Sequence, residues 1–349
     1  MTVGHIGYWA AVIIGLGCLT VVVSLVVIRL HADRDERRTR ELRTPLWRVV
    51  LTLSAGDPDE VEEARRRLLA LTPTERSAVE SDVFALVPKL RGESRERVRD
   101  VLRAWGSVDQ ARNSTASASP VRRARGYYRL GVLGLADRRD DVLAGLDDRD
   151  FTARRTAMLA LASFPEPAVI EAMLAAAATE PRLRHDFLAA VDQVGEPAAA
   201  VLVRRLDDPA TDSPVREQWL AAEALGLVGG YEALPALEAC LKEPDEELRI
   251  AALGALGELG APSSMTVVAS QLADTSSDVR RAATTAAGMI GGPSALLVLE
   301  IGLRDEDVEV ARTAATALRR GGAAGRTILE SVPVPVAREA LALADLRAS

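Results

Sequence analysis

The stretch Leu248-Arg-Ile-Ala-Ala-Leu-Gly-Ala-Leu-Gly-Glu-Leu-Gly260 decides the fold, because it recurs. Three other segments align with it without a gap. They are Glu217-Gln-Trp-Leu-Ala-Ala-Glu-Ala-Leu-Gly-Leu-Val-Gly229, Val279-Arg-Arg-Ala-Ala-Thr-Thr-Ala-Ala-Gly-Met-Ile-Gly291 and Val310-Ala-Arg-Thr-Ala-Ala-Thr-Ala-Leu-Arg-Arg-Gly-Gly322. Equivalent positions Leu225, Leu256, Ala287 and Leu318 step by 31 residues, and weaker copies stand upstream at Leu133, Leu161 and Val191. A fixed period of this length is the mark of stacked supersecondary units.

Within a unit, apolar residues fall at positions 1, 4, 5, 8, 9 and 12 of the motif, which is one face of a helix. Glycine closes that helix at Gly229-Gly230, Gly260 and Gly291-Gly292, where a left-handed C-cap is accessible without a Cβ clash. Proline opens a second apolar helix at Pro167, Pro197, Pro262 and Pro293. An acidic turn follows, as in Arg304-Asp-Glu-Asp307. Neither helix can bury its stripe alone, so stacking must create the core. Ala252 and Ala283 share one tightly packed register. Composition agrees. The 349 residues are 48% hydrophobic but only 3% aromatic, so Ala, Leu and Val must fill the interior, which suits close-packed helices better than a sandwich or barrel.

The order acidic turn, Val/Leu-Arg, Ala-Ala, Ala-Leu-Gly, Ile/Leu-Gly resembles HEAT-like repeats, including the variety named from phycobilin lyases, over about residues 125–326. The resemblance implies an all-α, right-handed α-solenoid that works by binding. It also implies a ladder in which a turn acid meets the following arginine. The matching arginines are Arg154, Arg184, Arg249 and Arg280, with Asp150, Glu180, Glu246 or Glu247, and Asp278 nearby. Gln218 and Ala311 depart from the pattern, so the ladder should break there.

The other end of the chain has different chemistry. From Met1 to Ile28 there is no Asp, Glu, Lys or Arg. The span is long enough to cross a bilayer as a helix, and Tyr8 and Trp9 lie where an aromatic belt belongs. A cleaved signal peptide would carry a basic n-region and a small-x-small exit, and this segment has neither. Arg29, Arg34, Arg37, Arg38, Arg40, Arg43 and Arg48 all follow the span and none precedes it, which puts the following chain in the cytoplasm. Gly7, Ala11 and Gly15 form a small-xxx-small face that can pair with another helix, although such residues are common in membrane spans anyway. The expected organisation is a short extracytoplasmic N-terminus (1–5), a transmembrane helix (6–30), a charged juxtamembrane segment (31–45), N-terminal helical repeats (46–106), a flexible Ser/Ala-rich linker (107–122) and the HEAT-like solenoid (123–349).

A catalytic kit is hard to assemble. Cys18, Cys240 and three histidines cannot supply a disulfide scaffold or a Cys/His zinc module. No phosphate-binding glycine loop ends in Lys, since the only lysines are Lys89 and Lys242. The pairs Asp147-Asp148, Asp207-Asp208 and Glu246-Glu247 sit at repeat turns, where helix dipoles favour acids. Arg65-Arg66-Arg67 lies beside Glu62 and Glu63 and reads as a solvated helix face. A net charge of −7 and scarce aromatics argue against a nucleic-acid-coating surface. No cofactor is expected.

The reading is a single-pass bacterial plasma-membrane protein, its Arg and Ala excess that of a GC-rich genome. Its cytosolic solenoid holds a protein partner without catalysis, and a membrane-embedded envelope enzyme or transporter is the partner class considered. The alternatives are a bilin-lyase-type enzyme or a nucleic-acid-binding HEAT-like protein. Candidate partner-facing positions on the Val-Arg helices are Gln218, Trp219, Arg281, Thr284 and Thr285. Trp219 could equally be a core residue.

Overall fold

The computed structural model describes Arg29 and residues 43–207 and 215–348. No strand occurs among them, and none of their helices is long and apolar enough to cross a membrane. The expected span 6–30, its pairing residues Gly7, Ala11 and Gly15, and almost all of the juxtamembrane segment lie outside the described residues. The chain divides into two units, residues 1–110 and 111–349.

The first unit holds α1 (residues 43–55), α2 (Pro58–Leu69), α3 (Pro73–Leu86), α4 (Gly92–Ala104) and the start of α5 (Ser107–Thr115). Each early turn has a local cause. Pro58 stands in the first turn of α2, where its missing N–H costs nothing. Thr72 and Glu75 form a reciprocal capping box at the start of α3. Val79, Val83 and Phe84 of α3 and Val98, Val101 and Leu102 of α4 are buried. The Trp105 indole donates to the Leu68 carbonyl at 2.9 Å.

Residues 107–122 are not the structureless linker that their composition suggests. Most of the segment is helical, in α5 and in the first residues of α6 (Pro120–Leu133). Small polar residues are poor helix formers, but propensity is a weak prior that tertiary contacts override. Ala111 is buried, and the helices pack so closely that a Cβ on Gly126 would lie 2.8 Å from the Ala111 carbonyl.

The second unit continues with α7 (Arg139–Leu143), α8 (Phe151–Leu161), α9 (Pro167–Thr179), α10 (Arg184–Val194), α11 (Glu196–Asp207), α12 (Val215–Val228), α13 (Leu234–Cys240), α14 (Glu246–Leu259), α15 (Met265–Ser270), α16 (Ser277–Ile290), α17 (Gly292–Gly302), α18 (Val308–Arg320), α19 (Gly322–Ser331) and α20 (Pro335–Ala348). Even-numbered helices from α6 to α18 pack side by side in one row, and α9, α11 and α13 line a second. One continuous core runs from Ala111 to Ala340 between and along the rows.

Four of the six successive helix pairs in the first row touch through glycine. A Cβ on Gly226 would lie 2.9 Å from the Ala255 Cα, one on Gly257 3.0 Å from the Ala286 Cα, and one on Gly288 2.9 Å from the Ala317 Cβ. Gly131 meets the Ala160 Cβ at 2.6 Å in the same way. This contact corrects one register. Leu130, not Leu133, is the equivalent of Leu161, and the step between them becomes the full 31 residues. Of the expected glycine caps, Gly260 is left-handed and Gly291 has positive φ, whereas Gly229 and Gly230 do not.

Candidate partner-binding groove

The arginine ladder is a feature of the turns. Arg280 donates through Nη1 to the carbonyls of Asp274 and Thr275 in the turn before its own helix. Nε and Nη2 form a fork on Asp305 of the next turn, at 2.8 and 3.0 Å. Arg249 repeats the pattern with the carbonyls of Glu243 and Pro244 and with Asp274. Arg154 bonds the Asp148 carbonyl and Glu180. The acceptor carboxylate also accepts a backbone N–H two residues on, as Asp274 does from Ser276 and Asp305 from Asp307. Each guanidinium thus ties one turn to the next.

Several expected partners are different. Asp150 caps α8 instead, accepting from the N–H groups of Thr152 and Ala153. Asp278 pairs with Arg281, and Glu246 accepts from the Ser276 hydroxyl. Arg184 leaves the ladder for Glu223 on α12. An additional rung is Arg123, which forks onto Asp148 at 2.7 Å through both contacts and bonds the carbonyls of Ser117 and Ala118. Arg123 stands seven residues before Leu130, as Arg154 does before Leu161, so the Leu133 register had hidden it.

This rung is well buried. The Arg123 hydrogen bonds hold the Asp148 carboxyl down at about 2. Burial, reinforced by the Asp148 charge beside it, pushes the Tyr127 phenol up to about 12. A cavity of about 850 Å³ opens beside Asp148, Arg154 and Glu180, but these three are already engaged in the ladder, Arg154 with Glu180 and Asp148 with Arg123. Among the described residues no cluster of His, Cys, Asp or Glu could hold a metal ion.

The exposed face of the helix row is where chemistry is left over. Motif positions 3, 7 and 11, together with the residue before position 1, form one stripe on each helix. The stripe reads Arg216, Trp219, Glu223 and Leu227 on α12, Glu247, Ile250, Gly254 and Glu258 on α14, and Asp278, Arg281, Thr285 and Met289 on α16. A groove of about 560 Å³ runs along α14 between its neighbours. Trp219 and Ile250 pack one side against the core and line the groove with the other. Arg216 lies over the Trp219 ring, 5.6 Å from its centroid. Leu227 and Met289, 49% and 44% exposed, bring further apolar surface. Gly254 leaves the floor open, with nothing within 4 Å of where its Cβ would be.

The five candidate residues therefore part company. Trp219 lines the groove and also packs on the core, so both of its readings hold a share. Arg281 and Thr285 are exposed on the neighbouring stripe, with Arg281 held by Asp278 at 2.6 Å. Gln218 is half-buried at a ladder position. Thr284 is a correction. It is fully buried, and its hydroxyl donates to the Arg280 carbonyl at 2.9 Å. Motif position 6, which Thr284 shares with Ala222, Leu253 and Ala315, lies in the core because each helix is covered by its row neighbours as well as by the second row. A single 3.6-residue stripe underestimates so wide a buried arc.

A family model described as HEAT repeats matches residues 210–276 and 235–319. Among solved structures, Kap121p bound to Nup53p has a TM-score of 0.51 at 15% identity, over 80% of this chain and 38% of that one. Human deoxyhypusine hydroxylase aligns at 22% identity and a TM-score of 0.32, covering 72% of this chain and 99% of that one. The complex of CpcE and CpcF of phycocyanin lyase from Nostoc aligns at 21% identity and a TM-score of 0.34, covering 68% and 93%. No curated protein matches. At these identities the likeness is one of fold, and of these three structures the Kap121p complex, with a TM-score above 0.5, carries it. Residues 210–319 of this chain match HEAT repeats, and the described residues of the second unit form a solenoid-like stack of helices with no strand among them.

Proposed function

We propose that this protein is a membrane-anchored, non-catalytic scaffold whose helix row receives a segment of a protein partner in the groove beside Trp219. The observation that carries the reading is the groove itself: a half-buried tryptophan, an isoleucine and an open glycine floor, flanked by exposed Leu227 and Met289. Half-buried aromatics flanked by open apolar surface are the usual anchors of protein interfaces. Kap121p, which shares the fold, is described as bound to Nup53p, and this favours protein binding as the use of such a row.

The anchor rests on the charge-free run 6–28 and on the arginines that follow it. With that orientation the groove works at the inner face of the plasma membrane. Carboxylates at Glu223, Glu247 and Glu258 line the groove and would repel a phosphate backbone, which disfavours the nucleic-acid reading. The bilin-lyase reading has no candidate residue for chromophore attachment.

The test uses the full chain, tagged at its C-terminus and purified in mild detergent. The partner that co-purifies should be lost from Trp219→Ala combined with Arg281→Glu, while helicity and membrane insertion persist. Full recovery of the partner with an unaltered melting curve would dismiss this reading of Trp219.

A further inference from the structure

The groove has a charge signature that its neighbours lack. Arg281 and Arg312 on the adjacent stripes are matched by Asp278 and Glu309 of their own helices, and Arg184 at the groove's edge is matched by Glu223. Glu247 and Glu258 are exposed and have no ion-pair partner among the described residues. They lie eleven residues apart on α14, on the same face as Ile250 and Gly254. At 1.5 Å per residue the two carboxylates are separated by about 16 Å along the helix. The groove is therefore an apolar trough with an unmatched negative charge at each end.

Resting on the reading above, we infer that the partner segment is a short amphipathic helix. It carries basic residues at its two ends, about three turns apart, and one apolar side chain between them that enters over Gly254. Burial of the apolar anchor against Trp219 and Ile250 supplies affinity. The two ion pairs fix register and direction of approach, and contribute most at low ionic strength. An acidic or uncharged helix with the same apolar stripe leaves Glu247 and Glu258 unpaired and meets repulsion at both ends.

The probes are two fluorescein-labelled sixteen-residue peptides with one Leu/Ala stripe in common. One carries Arg at the two positions eleven residues apart, and the other carries Glu there. Binding to the detergent-solubilised full chain is read by anisotropy. The Arg peptide should bind at least tenfold more tightly than the Glu peptide at low salt. Glu247→Gln with Glu258→Gln should abolish that preference, and Glu247→Arg with Glu258→Arg should reverse it. Gly254→Leu, which fills open space and does not lower the melting midpoint, should block the Arg peptide. Equal affinities, binding of neither peptide, or a preference that survives the double Gln substitution would overturn the inference. If the natural partner still depends on Trp219 in that case, the scaffold reading stands and only the basic-helix chemistry falls. If the partner ignores Trp219, the groove itself is the wrong surface.

Discussion

Gly131→Ala and Gly254→Ala place the same methyl group on two helices of one row, and they should move stability in opposite directions. At Gly131 the new Cβ would lie 2.6 Å from the Ala160 Cβ and 2.8 Å from its Cα and carbonyl oxygen. Carbon atoms rest at about 3.5 to 4 Å, so α6 and α8 must separate by roughly 1 Å or distort. Overpacking of this kind costs about 1 to 3 kcal/mol. Removing a helical glycine returns at most about 1 kcal/mol, so the net change is a destabilisation of up to about 2 kcal/mol. At Gly254 nothing lies within 4 Å of the added Cβ. Only the propensity gain remains there, a stabilisation of about 0.5 to 1 kcal/mol. For a unit of this size each kcal/mol moves the midpoint by about 2 to 4 °C. Thermal unfolding followed by circular dichroism at 222 nm, supported by urea midpoints, would separate the variants by several degrees. If Gly131→Ala melts at or above Gly254→Ala, the close approach of successive helices is not what holds the row together.

Other consequences can be measured on the same material. Ala283 is fully buried, so Ala283→Leu should cost about 1 to 3 kcal/mol in urea unfolding, as any residue forced into that register would. Asp148 is depressed from 3.8 to about 2 by its arginine. A depressed acid contributes its stability above its unfolded value, so up to about 2 kcal/mol should be lost as pH falls from about 4 to 2, and Asp148→Asn should flatten that limb of the stability curve. Burial raises the Cys240 thiol from 9.0 to about 11. A raised acid stabilises the fold below its unfolded value, so about 2 to 3 kcal/mol should disappear between pH 9 and 11, and Cys240→Ala should remove that component. Ala116 is exposed, so Ala116→Cys in a chain lacking Cys18 and Cys240 should resist an impermeant thiol reagent in intact cells and label after lysis. Labelling without lysis would reverse the orientation.

The repeat and its helical class were legible in the sequence because stacking imposes the same local demands every 31 residues: an apolar arc, a turn signal and an arginine after the acidic turn. The charge-free run at the N-terminus is likewise a property of composition, and the membrane span proposed from it lies outside the described residues. Long-range partners were not. Arg280 chooses Asp305, 25 residues on, over the adjacent Asp278, because its helix start faces the next turn. The burial of Thr284 against the exposure of Thr285 is also a matter of packing. Neighbouring residues in one helix point about 100° apart, and only the presence of covering helices on two sides decides where the core ends. Gly254 and Gly257 look alike as helical glycines within one motif. One opens the floor of a groove and the other lets α14 and α16 touch, and that difference exists only once neighbouring helices are in place.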